Sequence, residues 1–243
     1  MSTATTTATT RHLALIGDLI SSRQLSERAD VQQALMAFLE QCNRSFAPFL
    51  HSPFRITLGD EFQGLVGPGF PLEEFVLRLN AALRPRVSAR LGLGLGTLAT
   101  HPGPVVGDLD GPCFHSARDA VNEARQRQAL LAVRSATGDT DTRWLQQQLA
   151  LIEAHLRRLS LVRWETAALL LELRHPAAVA RARGVTRQSI DDALAGGLIP
   201  EVLDGLRAFS SSLDCILSGG SALKPEIQAD QPADQTPRWG DPA

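Results

Sequence analysis

Two stretches decide how this chain folds: Leu15–Arg23, LIGDLISSR, and Ile56–Val66, ITLGDEFQGLV. Each drives an apolar run into Gly-Asp. A short apolar run bounded by a turn dipeptide has the pattern of a buried strand. RHLALIGDLI places the first strand at about 12–17. In the second stretch FRITL alternates at the strand period, Gly59-Asp60 makes a hairpin turn, and FQGLV returns. If the strands share a sheet, Asp18 and Asp60 lie side by side at one edge of it. Two carboxylates held close repel each other. The usual relief is a divalent cation, Mg2+ or Mn2+, which can also hold a triphosphate. The plainer alternative is that each Gly-Asp is only a turn.

The flanking segments continue the pattern. In SERADVQQALMAFLEQCNRSF, Val31, Leu35, Phe38, Cys42 and Phe46 recur at helical spacing, with Asp30 and Gln33 as a capping box. PLEEFVLRLNAAL is a helix opened by Pro71. RVSARLGLGLGTLA is a strand in which Gly92, Gly94 and Gly96 alternate with leucines; close helix packing or an open pocket wall would suit them. GPCFHSARDAVNEARQRQ is a helix and ALLAVRSA a further strand. The order βαββαβ, then αβ, predicts an α+β fold with a ferredoxin-like, palm-type core.

After Thr140 the strand signals stop. The pattern predicts a palm domain over 11–139 and an all-α domain over 142–217. The Thr/Ala-rich residues 1–10 and the Gly-, Ser- and Pro-containing residues 218–243 read as disordered. AAVARARGVTRQSIDDAL fits a helix-turn-helix: Ala180 at the helix crossing, Gly184 in the turn, Thr186 as cap, Val185 and Ile190 in the core. Arg187, Gln188 and Ser189 would then open a DNA-reading helix. Residues 154–197 carry seven Arg against four acids, which suits phosphate contact, whereas Asp191 and Asp192 on the reading helix oppose it. The other reading is a helical hairpin used for packing or dimerisation.

Composition excludes several functions. A net charge of -2 gives no strong field toward nucleic acid or an anionic membrane. The apolar runs are too short to span a bilayer, and the first residues lack the basic and apolar parts of a secretion signal. Cys42, Cys113 and Cys215 match no zinc spacing and read as ordinary thiols of a cytoplasmic protein. Lys224 is the only lysine and GxxxxGK is absent, so P-loop and lysine Schiff-base chemistry are out.

Around the two aspartates, Ser21 and Ser22 offer hydroxyls and backbone amides to phosphate oxygens, and Arg23 adds charge. Glu61 reads as a second ligand, a base or a solvent-facing hairpin residue. Arg118, a helical turn from both His115 and Asn122, reads as a phosphate clamp or as the partner of Asp119, Glu123 or one of the paired aspartates.

LIGDLISSRQL, FRITLGDEFQGLV, RLGLGLGTL and DGPCFHSARDAV, in that order, resemble the SatD family, bacterial proteins linked to stress tolerance. The resemblance covers about 12–125 and extends into the helical C-terminus. More distantly, GDEF in a hairpin is similar to the GGDEF diguanylate cyclases, and RLGLGLG, Arg90–Gly96, to the RIGIHTG strand of class III cyclases. This implies Asp18 as a first-strand metal ligand, Asp60 as the hairpin ligand, Gly59 as a backbone contact, Mg2+ or Mn2+ as cofactor and a nucleoside triphosphate as ligand. Palm cyclases complete a site from two chains, so the resemblance also implies a homodimer. Two departures stand out. Leu58 occupies the place of the first Gly of GGDEF, and the Asn-x3-Arg pair of class III cyclases has only His115-x2-Arg118 and Asn122-x2-Arg125 as counterparts. The expected function is nucleotide binding at a metal site, extending to nucleotidyl cyclase or nucleotidyltransferase activity, coupled to the helix-turn-helix. The alternative is a non-enzymatic DNA-binding regulator that uses its palm for sensing or dimerisation.

Overall fold

The first strand, β1 (His12–Leu19), sends alternate side chains to opposite faces and so sets the layers. Leu13, Leu15 and Leu19 enter the main core, while Ala14 and Ile16 enter a smaller one behind it. The structure, a computed structural model, describes residues 11–20, 28–99 and 109–222. Residues 1–10, most of the 218–243 tail, and Ser21, Ser22 and Arg23 lie outside the described residues.

β2 (Leu50–Leu58), β3 (Glu61–Val66), β4 (Ala89–Gly96) and β5 (Leu131–Ser135) complete a five-stranded sheet in the order β2-β3-β1-β4-β5. All pairs are antiparallel except β4 with β5. Helices α1 (Arg28–Ser45) and α2 (Leu72–Leu83) cover one face through Val31, Leu35, Phe38, Phe75 and Leu79. Helix α3 (Pro112–Gln126) covers the other through Cys113, Phe114, Ala117 and Val121. This is the expected α+β fold, with a split βαβ core and an added αβ unit.

Two local expectations are corrected. β1 runs to Leu19 rather than Gly17, so Asp18 lies inside the strand, directly opposite Arg90 of β4. Asp30 is not a cap: α1 is already under way at Arg28, and Asp30 stands in its first turn, where a negative charge favours the helix dipole. Between β2 and β3, Gly59 at φ +64° supplies the positive φ that the first turn position of a tight hairpin demands.

The β4 glycines answer to helix packing. A Cβ on Gly94 would overlap the Cys113 carbonyl and the Ala117 nitrogen; one on Gly92 would overlap the Ala117 carbonyl and Val121. Without side chains at these positions, α3 lies directly on the strand.

The rest of the described chain is helical: α4 (Thr140–Leu156), α5 (Leu161–Leu173), α6 (Pro176–Arg183), α7 (Arg187–Gly196) and α8 (Ile199–Leu217). Asp139 caps α4, accepting from the Thr142 N–H at 2.9 Å. Leu145, Leu149, Trp164, Leu206 and Phe209 join the same apolar cluster as β1 and α2. Gly184 closes α6 at φ +65°, and Thr186 caps α7 by accepting from the Ser189 N–H. Ile190 is buried as expected, but Val185 is 43% exposed: it sits in the turn itself, outside the contact of the two helices. None of the described helices is long and apolar enough to cross a membrane. All three cysteines are free thiols; burial pushes Cys42 up to about 12 and Cys113 to about 11, so neither forms a thiolate at neutral pH.

Two predictions follow from the packing. Gly94→Ala forces α3 off β4 and is expected to cost at least about 2 kcal/mol in a urea titration. At the start of β1, burial and the neighbouring His51 lower the His12 pKa. A depressed imidazole pKa contributes stability above the ordinary value and loses it as pH falls through the folded value. The urea midpoint should therefore decline as pH falls below about 6.5. His51→Gln should shrink that decline without abolishing it, because burial remains.

Candidate functional site

Asp18, Arg90, Glu61, Arg118 and Arg125 form a charged network on the α3 face of the sheet. β1–β3 pairing ends at Gly17 opposite Phe62, which sets Asp18 beside the start of β3. Asp18 is 8% exposed and Arg90 7%. Arg90 donates from Nη1 to Asp18 Oδ1 at 3.2 Å and from Nε to the Ala129 carbonyl at 3.2 Å. Arg125, from the last turn of α3, donates from Nη2 to Asp18 Oδ2 at 2.5 Å. A buried carboxylate needs compensation, and Asp18 receives two guanidinium groups.

Glu61, first residue of β3, meets Arg118 of α3 in a two-pronged ion pair: Nη2 to Oε1 at 2.6 Å, and Nη1 to Oε2. The Thr57 hydroxyl also donates to Oε1, at 3.2 Å. The bonds that Arg118 donates to Glu61 raise its pKa against the opposing effect of burial, and the fields of Glu61 and Asp18 add to the rise. Two carboxylates against three guanidinium groups leave the network at +1, a charge suited to an anion.

Gly59 and Asp60 occupy the hairpin turn at the same end of the sheet. They line a narrow hollow with Leu19 of β1 and Arg28, Val31 and Gln32 of α1. The structure thus gathers Asp18, Glu61 and Arg118 into one network and sets Asp60 beside the start of α1. Arg118 pairs with neither Asp119 nor Glu123; Glu123 is taken by Arg127 and Arg134. His115 turns away from Arg118 to meet Asp110 at 3.0 Å. Arg90, on the strand read from RLGLGLG, is a site residue that the sequence reading missed.

Among the described residues, no three His, Cys, Asp or Glu side chains stand together as a metal cage. Mg2+ demands less, taking one or two carboxylates and filling its shell with phosphate and water oxygens. Asp18 and Asp60 are donors of that kind; Asp18 Oδ1 accepts from Arg90 alone, at 3.2 Å, whereas Oδ2 accepts from Arg125 at 2.5 Å and from Arg90 at 3.5 Å.

On α7, Arg187 donates from Nε to both oxygens of Asp191, and Gln188 donates to Asp192 at 2.8 Å. The Ser189 hydroxyl meets that of Thr186 at 2.9 Å. These polar side chains are thus engaged within their own turn.

The burial of Asp18 separates it from Asp60 in a measurable way. Asp18→Asn leaves Arg90 as a buried cation with no counter-charge and should cost about 3 kcal/mol in urea denaturation. Asp60→Asn, in the turn, should stay within about 0.5 kcal/mol of the parent chain.

None of the curated proteins matches the chain. A solved structure of a bacterial light-regulated adenylyl cyclase is similar over 51% of this chain and 75% of that one, with 11% sequence identity and a TM-score of 0.38. Residues 12–165 match the SatD family, and the chain belongs to that family.

Proposed function

We propose that this protein binds a nucleoside triphosphate, with Mg2+ or Mn2+, at the end of the sheet that carries both Asp18 and the Gly59-Asp60 hairpin. The observation that carries this reading is the convergence on Asp18 of more positive charge than its burial requires. A second guanidinium and the neighbouring Arg118 reach the same place, and polyphosphate is the ligand such forks recognise. Asp18 and Asp60 would hold the metal. When bound, the metal neutralises phosphate charge and polarises the phosphoryl oxygens.

The remaining roles fall to the chain's own residues. Arg90 fixes the Asp18 carboxylate from below, through its second bond to the Ala129 carbonyl. Glu61 holds Arg118 in one orientation through both its oxygens, so Glu61 positions a phosphate contact and does not act as a base. For the alternative, a DNA-reading role of Arg187, Gln188 and Ser189 on α7, Arg187 and Gln188 would have to exchange their exposed bonds to Asp191 and Asp192 for contacts to DNA.

Calorimetric titration with a nonhydrolysable ATP or GTP analogue tests the reading. The parent chain should bind in Mg2+ and lose most of that affinity in excess EDTA. Asp60→Asn should lose the Mg2+-dependent part with an unchanged melting temperature. Equal binding by the parent and Asp60→Asn in Mg2+ would sink the metal assignment. Incubation with each nucleoside triphosphate and Mn2+, followed by mass spectrometry of the products, tests for turnover to a cyclic or linear product.

A further inference from the structure

Within the network, Arg125 differs from its neighbours. Its side chain is 55% exposed, against 8% for that of Arg90 and 42% for that of Arg118. Arg90 is anchored by a backbone carbonyl, and Arg118 by both oxygens of Glu61. Arg125 has Asp18 and one further contact, Nη1 to the exposed Asn122 side chain at 3.2 Å. Its bond to Asp18 is nevertheless short, 2.5 Å. Since Arg90 already balances the buried carboxylate, Arg125 is a second cation on one acid, held at the solvent edge. A divalent ion approaching Asp18 must compete with that guanidinium for the same oxygen.

We infer that Arg125 stands in for the cation at Asp18 in the unliganded chain and passes to a phosphate oxygen when metal and triphosphate arrive together. This rests on the metal–triphosphate reading above and adds a coupling to it. Metal alone must expel Arg125 into water while its charge stays close by. A triphosphate gives the displaced guanidinium an anion to meet. Each ligand therefore raises the affinity for the other beyond their direct contact, by the same factor in both directions. The site resists metal without nucleotide, and Arg125 sets the strength of that resistance.

Binding of Mn2+ to the whole chain, followed by the electron paramagnetic resonance signal of the free ion, tests this. Without nucleotide, Arg125→Gln should bind Mn2+ about tenfold more tightly than the parent, in line with the roughly one-to-three-unit effect of a guanidinium on a neighbouring carboxylate. Arg125→Lys, which keeps the charge, should stay near the parent value. With a nonhydrolysable triphosphate analogue, the gain in Mn2+ affinity should be smaller in Arg125→Gln than in the parent. Equal Mn2+ affinity of parent and Arg125→Gln without nucleotide overturns the inference and leaves the parent reading to its own Asp60→Asn test. Absence of protein-bound Mn2+ in both chains, even with the analogue, overturns that reading and the inference with it.

Discussion

The distance between α3 and β4 governs the charged face of this protein. Gly92, Gly94 and Gly96 present no side chains to the helix, so the α3 backbone at Cys113 and Ala117 rests against the strand. Arg118 and Arg125 lie two turns apart on that helix, on the side that faces β1 and β3. A helix held farther out would present the same arginines beyond reach of Asp18 and Glu61. The glycines act at one end of the helix and the ion pairs form toward the other, so the strand positions the charges through a rigid rod. Alanines continue the close approach: Ala120 and Ala124 meet Ala129 and Ala132 at the start of β5.

The helical segments are bound into the same body. The main apolar cluster runs without a break from Leu13 of β1 through α2 to Trp164, Phe209 and Ala222. Polar contacts pin its edges. Glu153 of α4 accepts from the Leu130 N–H at 2.9 Å, and Asp214 of α8 accepts from the Gly69 N–H at 2.9 Å. Burial raises the Asp214 pKa, offset in part by that N–H. The Arg84 guanidinium lies 4.8 Å from the centre of the buried Trp164 ring, joining the end of α2 to α5.

Much of this was legible in the sequence because it depends on local pattern. Alternation in FRITL, the Gly-Asp turn and the Gly-Leu ladder of β4 each report a strand directly, and their order fixes the sheet. The α6–α7 unit was equally open to reading through Gly184 and Thr186. The partner of each charge was not. Asp18 meets Arg90 across strands 72 residues apart and Arg125 across 107. No local rule pairs residues at that range until the register is known. The end of β1 was also hidden, since nothing in DLISS marks where pairing with β4 stops. Val185 was misplaced because an apolar residue in a turn looks the same in sequence whether it faces the helices or the water.

The network has one further property that follows from its use of arginine throughout. Lys224 is the only lysine in the chain, and the site's cations, Arg90, Arg118 and Arg125, are all guanidinium groups. A guanidinium keeps its proton across the whole range in which proteins stay folded. The positive side of this site is therefore a constant, and any response to pH must enter through a carboxylate or through the ligand itself. Around neutrality, where carboxylates are ionised too, the chain presents a fixed pattern of charge. The His12 imidazole, whose pKa is lowered by burial and by His51, stands at the other end of β1 from Asp18.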